Sequence, residues 1–93
     1  MRVRFSTRSI SQLSNIRTYI ERRNPDAAEL VRLRILATIE RLQRLPRIGR
    51  TGRRPGTREQ RVSGLPFVIV YRIDIGDDDE LVVLGVFHTA QHR

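Results

Sequence analysis

The sequence predicts an α+β domain: an N-terminal strand, an antiparallel helical hairpin, and then a three-stranded antiparallel meander, with all strands in one sheet. Three observations carry this. Ile10, Leu13, Ile16 and Ile20, and later Ala28, Val31, Ile35, Ile39 and Leu42, recur every three or four residues, the period of a helix with one buried stripe. Asn24-Pro25 separates the two runs and leaves a connection too short for anything but an antiparallel hairpin. In the second half, apolar runs of strand length alternate with turn residues.

Arg2 to Phe5 alternates charged and apolar, with Val3 and Phe5 on one face, as a short half-buried strand does. The first helix is predicted over Ser9 to Arg23, capped by one of Thr7, Ser9 or Ser11. The second starts with Asn24 as cap, Pro25 at the first helical position and Asp26 at the positive end of the dipole, and runs to Leu45-Pro46. Gly49, Gly52, Pro55 and Gly56 then break up residues 47–57, which are expected to lack regular structure. Arg58 to Ser63 reads as a strand and Gly64-Leu65-Pro66 as a turn. Phe67 to Ile73 reads as a central strand whose nearly unbroken apolar run predicts burial on both faces. After the polar turn Gly76-Asp77-Asp78-Asp79, Leu81 to Phe87 is the strand that pairs with it. The helical hairpin is expected to cover one face of this mostly antiparallel sheet.

A chain of 93 residues is sized for one domain, spanning residues 1–93, that buries roughly 60 to 70% of its unfolded surface. All 18 basic residues are arginine, and with 10 acids the net charge is +8. Guanidinium stays charged everywhere and forks onto carboxylate or phosphate, so the excess points to an anionic partner, nucleic acid or acidic protein. A GC-rich genome produces the same preference for arginine over lysine, so arginine identity alone carries no argument. The excess is uneven: residues 1–72 hold 17 arginines and 5 acids, residues 73–93 hold 1 arginine and 5 acids. Cysteine is absent, which removes disulfides and thiolate metal sites and suits a reducing cytoplasm. The N-terminus has no apolar run of signal-peptide length, and no stretch approaches the roughly 20 apolar residues of a membrane span. The expectation is a cytoplasmic protein that needs no membrane, metal or cofactor.

The order of elements, with Leu45-Pro46, Gly49-Arg50, Gly56-Thr57-Arg58-Glu59, Leu65-Pro66-Phe67-Val68-Ile69-Val70-Tyr71-Arg72 and Val83-Leu84-Gly85-Val86-Phe87-His88, resembles the RelE/ParE superfamily of bacterial toxins from type II toxin–antitoxin operons. The resemblance spans nearly the whole chain. It implies a RelE/ParE-like fold and a basic toxin held inactive in a hetero-oligomer by a cognate acidic antitoxin, ParD-like or similar, whose C-terminal segment wraps it. It also implies that operator DNA is bound only through the antitoxin. An arginine-covered surface suits an acidic, partly disordered segment that folds on binding.

The superfamily divides by target. RelE-like members are ribosome-dependent mRNA endoribonucleases, and ParE-like members are described as DNA gyrase inhibitors. Metal-free RNA cleavage needs a base for the 2′-hydroxyl, cations on the phosphorane and an acid for the leaving oxygen. The nuclease branch typically supplies lysines, arginines and a C-terminal tyrosine, or a Glu, Arg and His set. This chain has no lysine, its tyrosines are Tyr19 and Tyr71, and Val68 stands where the nuclease branch often has arginine. Those departures favour the ParE branch. The target-binding residues are then expected to be Arg50, Arg53, Arg54, Arg58 and Arg61, with His88 and Arg93 at the tail. The alternative is catalysis by Glu59, Arg61 and His88, against which stand plainer roles: Glu59 pairing with a nearby arginine and His88 packing at a strand end. His92 reads as tail. Arg17, Arg22, Arg32, Arg34, Arg41 and Arg44 read as solvated helix faces, and Arg72 as mainly structural. A third class, a non-toxic nucleic-acid-binding module, fits the charge but not the aromatics, since Phe5, Phe67, Phe87, Tyr19 and Tyr71 are expected mostly in the core and stacking needs exposed rings.

Overall fold

The computed structural model describes residues 1–91. Along it run β1 (Arg2–Phe5), α1 (Thr7–Glu21), α2 (Pro25–Arg44), β2 (Arg50–Thr51), β3 (Arg58–Arg61), β4 (Phe67–Asp74) and β5 (Glu80–His88). The strands form one sheet in the order β1-β5-β4-β3-β2. β1 lies parallel to β5 and the other pairs are antiparallel. The predicted architecture is present, with β4 central as expected.

One expectation fails in the segment 47–57. Arg50 and Thr51 pair with Glu59 and Arg58 as an edge strand, and Gly52 N–H extends the ladder to Thr57 O at 2.8 Å. The glycines and proline break only the middle of the segment. Arg54-Pro55-Gly56-Thr57 closes with Thr57 N–H on Arg54 O at 3.2 Å, and Gly56 has φ +79°, the type II turn that Pro-Gly encodes.

The cap of α1 is also a correction. It is Ser6, not Thr7, Ser9 or Ser11, and the helix starts correspondingly earlier. Ser6 ends β1 with its N–H on Val83 O at 2.9 Å, while its hydroxyl oxygen accepts from Ser9 N–H at 3.1 Å and donates to Leu84 O at 3.0 Å. β1 stops pairing at Val83, so the edge of β5 beyond it would be bare. Side chains of α1 finish the edge: Gln12 Oε1 accepts from Val86 N–H at 2.9 Å. The second helix starts as predicted, Asn24 Oδ1 accepting from Ala27 N–H at 3.2 Å with Pro25 next.

The helical stripes meet the sheet where the periodicity placed them, except for Ile10, which is 56% exposed one turn before the helix packs on the core. Val31, Ile35, Ile39 and Leu42 of α2 pack with Phe67, Ile69, Tyr71, Leu81, Val83 and Val86, with Leu13, Ile16 and Ile20 of α1 alongside. Strand alternation turns Val68 and Val70 the other way. Val68 is nonetheless 2% exposed and Val82 1%, whereas Val70 is partly exposed. Their cover is not a second layer of helices. Register instead places Arg61 and Phe87 beside Val68 and Arg4 and Arg72 beside Val82, side chains long enough to shield a neighbouring valine from water. Two aromatic rings are not core, contrary to expectation: Tyr19 is 60% exposed on α1, and Phe87 faces away from the helices.

Tyr71 joins the core to the arginine segment. The ring is fully buried, and the hydroxyl donates to Pro46 O at 2.6 Å and accepts from Gly49 N–H at 3.1 Å. Arg58 Nη1 donates to Gly49 O at 2.8 Å and Arg47 O at 3.1 Å. The segment after α2 is thus pinned at both edges before the arginine hairpin begins.

Candidate functional site

The arginines singled out by the sequence separate into distinct groups. Arg50, Glu59 and Arg61 share the face of the sheet turned away from the helices, because their register partners there are one another, Val70 and Val68. Arg58 points to the opposite side and is engaged with the backbone of residues 47 and 49, so its role is to hold the loop. Arg53 and Arg54 sit in the hairpin between β2 and β3, and Arg93, like His92, lies outside the described residues.

His88 is on the wrong face to join Glu59 and Arg61. It pairs with Phe67, whose ring is in the core, and the two rings meet edge to face at 5.7 Å. Its Nδ1 accepts from Ala90 N–H at 3.1 Å. Glu59 is 4% exposed, with Arg50 Nη2 on Oε1 at 3.2 Å and the Arg53 backbone N–H on Oε2 at 3.4 Å. The structure therefore brings Glu59 together with Arg50 and Arg53, and leaves His88 across the sheet.

A pocket of about 280 Å³ opens on this face, lined by Arg8, Arg53, Arg54, Thr57, Glu59, Val70, Leu84 and Phe87. Five of these lining residues, Arg8, Thr57, Val70, Leu84 and Phe87, were absent from the predicted set. Phe87 folds over Gly85, where a Cβ would meet the Phe87 ring at 2.5 Å. Alternation from the core residues Leu81 and Val83 would put Phe87 on the helical face, and the register shift between Val83 and Gly85 turns it to the other. Arg8, whose guanidinium carbon stands 5.2 Å from the centre of the Phe87 ring, carries no local signal either, because its place depends on how α1 docks along the edge of β5.

The other half of the same face is electrically balanced. Arg72 donates to Asp74 at 2.8 Å, and Arg4 lies 3.6 Å from Glu80 and 4.0 Å from Asp74. The hydrogen bond from Arg72 and the charges of Arg72 and Arg4 hold the Asp74 carboxyl below its ordinary range. Cationic surplus is thus concentrated at the β2–β3 end. On the helical side, a second hollow of about 330 Å³ lies between α1 and α2, lined by apolar side chains including Leu13, Ile16, Ile20, Val31, Ile35 and Leu36, with Arg17 and Arg32 beside them. No group of three or more His, Asp or Glu side chains placed to hold a metal occurs among the described residues, and no helix there is long and apolar enough to cross a membrane.

Residues 3–93 match the family described as "ParE toxin of type II toxin-antitoxin system, parDE". A relative in Sinorhizobium fredii named "Putative toxin Y4kP" is 37% identical over 90 residues, 97% of this chain and 90% of that protein. The fold is shared with a chain of the chromosomal ParDE system from P. aeruginosa, TM-score 0.81 at 20% identity over 95% of both chains. It is also shared with a chain of the RelBE2 toxin–antitoxin complex from Mycobacterium tuberculosis, TM-score 0.61 at 29% identity, covering 94% of this chain and 95% of that one. With a family match over nearly every residue and the RelE/ParE architecture in place, this chain belongs to the ParE toxin family of type II toxin–antitoxin systems.

Proposed function

We propose that this toxin arrests growth by binding DNA gyrase through the arginine-bearing open face of its sheet, without cleaving RNA. The observation that carries this is the separation of the nuclease candidates: Glu59 and Arg61 lie on one face, His88 on the other, and Glu59 is already engaged with Arg50 and the Arg53 amide. A base and an acid serving one phosphodiester must both reach it. An inhibitor needs only a presented surface, and the β2–β3 end of the sheet supplies one.

Neutralisation is by a cognate antitoxin in the same cytoplasm. The P. aeruginosa and M. tuberculosis structures are described as a toxin–antitoxin system and a toxin–antitoxin complex. The apolar hollow between α1 and α2, with Arg17 and Arg32 beside it, suits one face of an acidic amphipathic helix. Operator DNA is then reached only through the antitoxin.

Pulse labelling after brief induction without antitoxin tests the target. Thymidine incorporation is expected to fall before leucine incorporation, and purified toxin at micromolar levels is expected to slow gyrase supercoiling. An early collapse of leucine incorporation, with codon-phased cuts in ribosome-bound message, would replace this reading with a ribosome-dependent endoribonuclease.

A further inference from the structure

Glu59 occupies an unusual place for a carboxylate. It stands within β3, 4% exposed, on the face that the helices do not cover. A charge so withdrawn from water is costly unless its oxygens are engaged, and leaving it unpaired is worse than never having it. The two partners named above, Arg50 of β2 and Arg53 of the loop after it, both belong to the arginine hairpin. The rest of that hairpin closes on itself, with Gly52 N–H on Thr57 O at 2.8 Å and Thr57 Oγ1 donating to Arg54 O at 2.7 Å. The carboxylate thus acts on the chain's own loop, and fixing that loop brings Arg53 and Arg54 to the pocket that Arg8 reaches from α1.

We propose that Glu59 is the positioning residue of this pocket, and that the pocket receives an acidic segment of a protein in which a carboxylate neighbours an apolar side chain. Three arginines, Arg8, Arg53 and Arg54, line the pocket together with Val70 and Phe87. Guanidinium forks match carboxylates in pairs, and the apolar walls accept the neighbouring side chain. Single-stranded nucleic acid matches this lining less well. It needs ring faces for successive bases, and the one ring here already lies beneath the guanidinium of Arg8. The proposal rests on the reading of the open face as the contact surface, but the geometry of the loop is independent of which target is contacted.

The test uses the full-length toxin and three probes: an acetylated, amidated hexapeptide of alternating Glu and Leu, its Gln–Leu counterpart, and hexa-adenylate. E59Q keeps the size of the side chain and removes its charge. Amide exchange over residues 50–57 is expected to accelerate, and affinity for the Glu–Leu peptide in an NMR titration to fall by about tenfold or more, the scale of one strong polar contact. The double variant R53A/R54A is expected to lose as much, and adding E59Q to it to lose nothing further, because Glu59 acts through those arginines. Should E59Q not fold, R50A removes one of the carboxylate's partners through a side chain that is 72% exposed, and the same loosening of the loop is expected. Losses that multiply in the triple variant would place Glu59 on the ligand itself and overturn the positioning role, as would unchanged exchange and affinity in both E59Q and R50A. Equal binding of the Gln–Leu peptide, or tighter binding of hexa-adenylate, would overturn the ligand class. These readouts come from isolated toxin, so a ribosomal outcome in pulse labelling would remove the gyrase reading and leave them standing.

Discussion

Removing one oxygen atom from the core is expected to unfasten the arginine segment. In Tyr71→Phe the fully buried ring keeps its packing, but the hydroxyl that donates to Pro46 O at 2.6 Å and accepts from Gly49 N–H at 3.1 Å is gone. Losing the first bond costs about 1 kcal/mol net, and leaving the buried Gly49 N–H without an acceptor costs a further ~1–3 kcal/mol. The sum, about 2 to 4 kcal/mol, is a large share of the 5 to 15 kcal/mol typical of small domains. At roughly 4–8 °C per kcal/mol for a domain of this size, Tm should fall by about 8–32 °C. Urea unfolding should show a lower midpoint with an unchanged slope, since the exposed surface is the same. Alkali gives an independent check. Burial raises the phenol above its ordinary 10.0, against smaller lowering effects of the Gly49 N–H and the Arg58 charge. A raised folded pKa means the native state favours the neutral phenol. Its contribution is therefore complete below about pH 10 and is lost as pH climbs through the raised value. Wild type should lose stability there by a term that Tyr71→Phe lacks. A destabilisation below about 0.5 kcal/mol, with parallel alkaline profiles, would refute the clasp.

Other consequences follow from the same contacts. Gly49→Ala would place a Cβ 2.8 Å from Tyr71 Cε1 and 3.0 Å from Glu59 O, neither of which can retreat, so a loss of about 1–3 kcal/mol in urea unfolding is expected. Gln12→Ala removes the acceptor for Val86 N–H at the edge of β5, where Val86 is 2% exposed, and should cost about 1–2 kcal/mol while sparing the helix, as amide exchange at Val86 would show. NMR titration should place Glu29 and Asp74 below ordinary carboxylates, each held down chiefly by a hydrogen bond, from Arg32 and Arg72 respectively. Such depressed values give stability that is present above about pH 4 and fades as pH falls. Because both carboxyls are exposed, 1 M salt should remove most of the shift.

How much of this was legible depended on whether the signal was local. The two helices were readable because each stripe repeats within its own segment, and the start of α2 because Asn24, Pro25 and Asp26 are adjacent. The break marked by Pro55 and Gly56 was readable too, but glycine and proline mark where a segment bends and say nothing of whether its flanks pair. The strand at Arg50–Thr51 was missed for that reason, since its partner at Arg58–Glu59 lies beyond the turn. Ser6 was missed as the cap because it serves two elements at once, ending β1 on Val83 and starting α1 with Ser9, and a search for helix signals sees only the second.

The candidate site shows the same limit more sharply. Glu59, Arg61 and His88 are the right residue types on β3 and β5, the two strands that flank β4, and nothing in the composition separates them. What separates them is parity. Val68 faces Arg61 on β3 and Phe87 on β5, so Phe87 must share that face and His88, one residue on, must take the other beside Phe67. Register between strands is fixed by long-range pairing and here also by a bulge between Val70 and Tyr71. A one-residue slip of β5 would exchange Phe87 and His88, placing an imidazole near Arg61 and the phenyl ring at the exposed strand end beside Phe67. The side chains on either side of the sheet select the observed register: Phe87 beneath the Arg8 guanidinium, and His88 edge-on to Phe67. The packing that fixes this edge of the sheet thus also sets Phe87 rather than His88 beside the arginines of the open face.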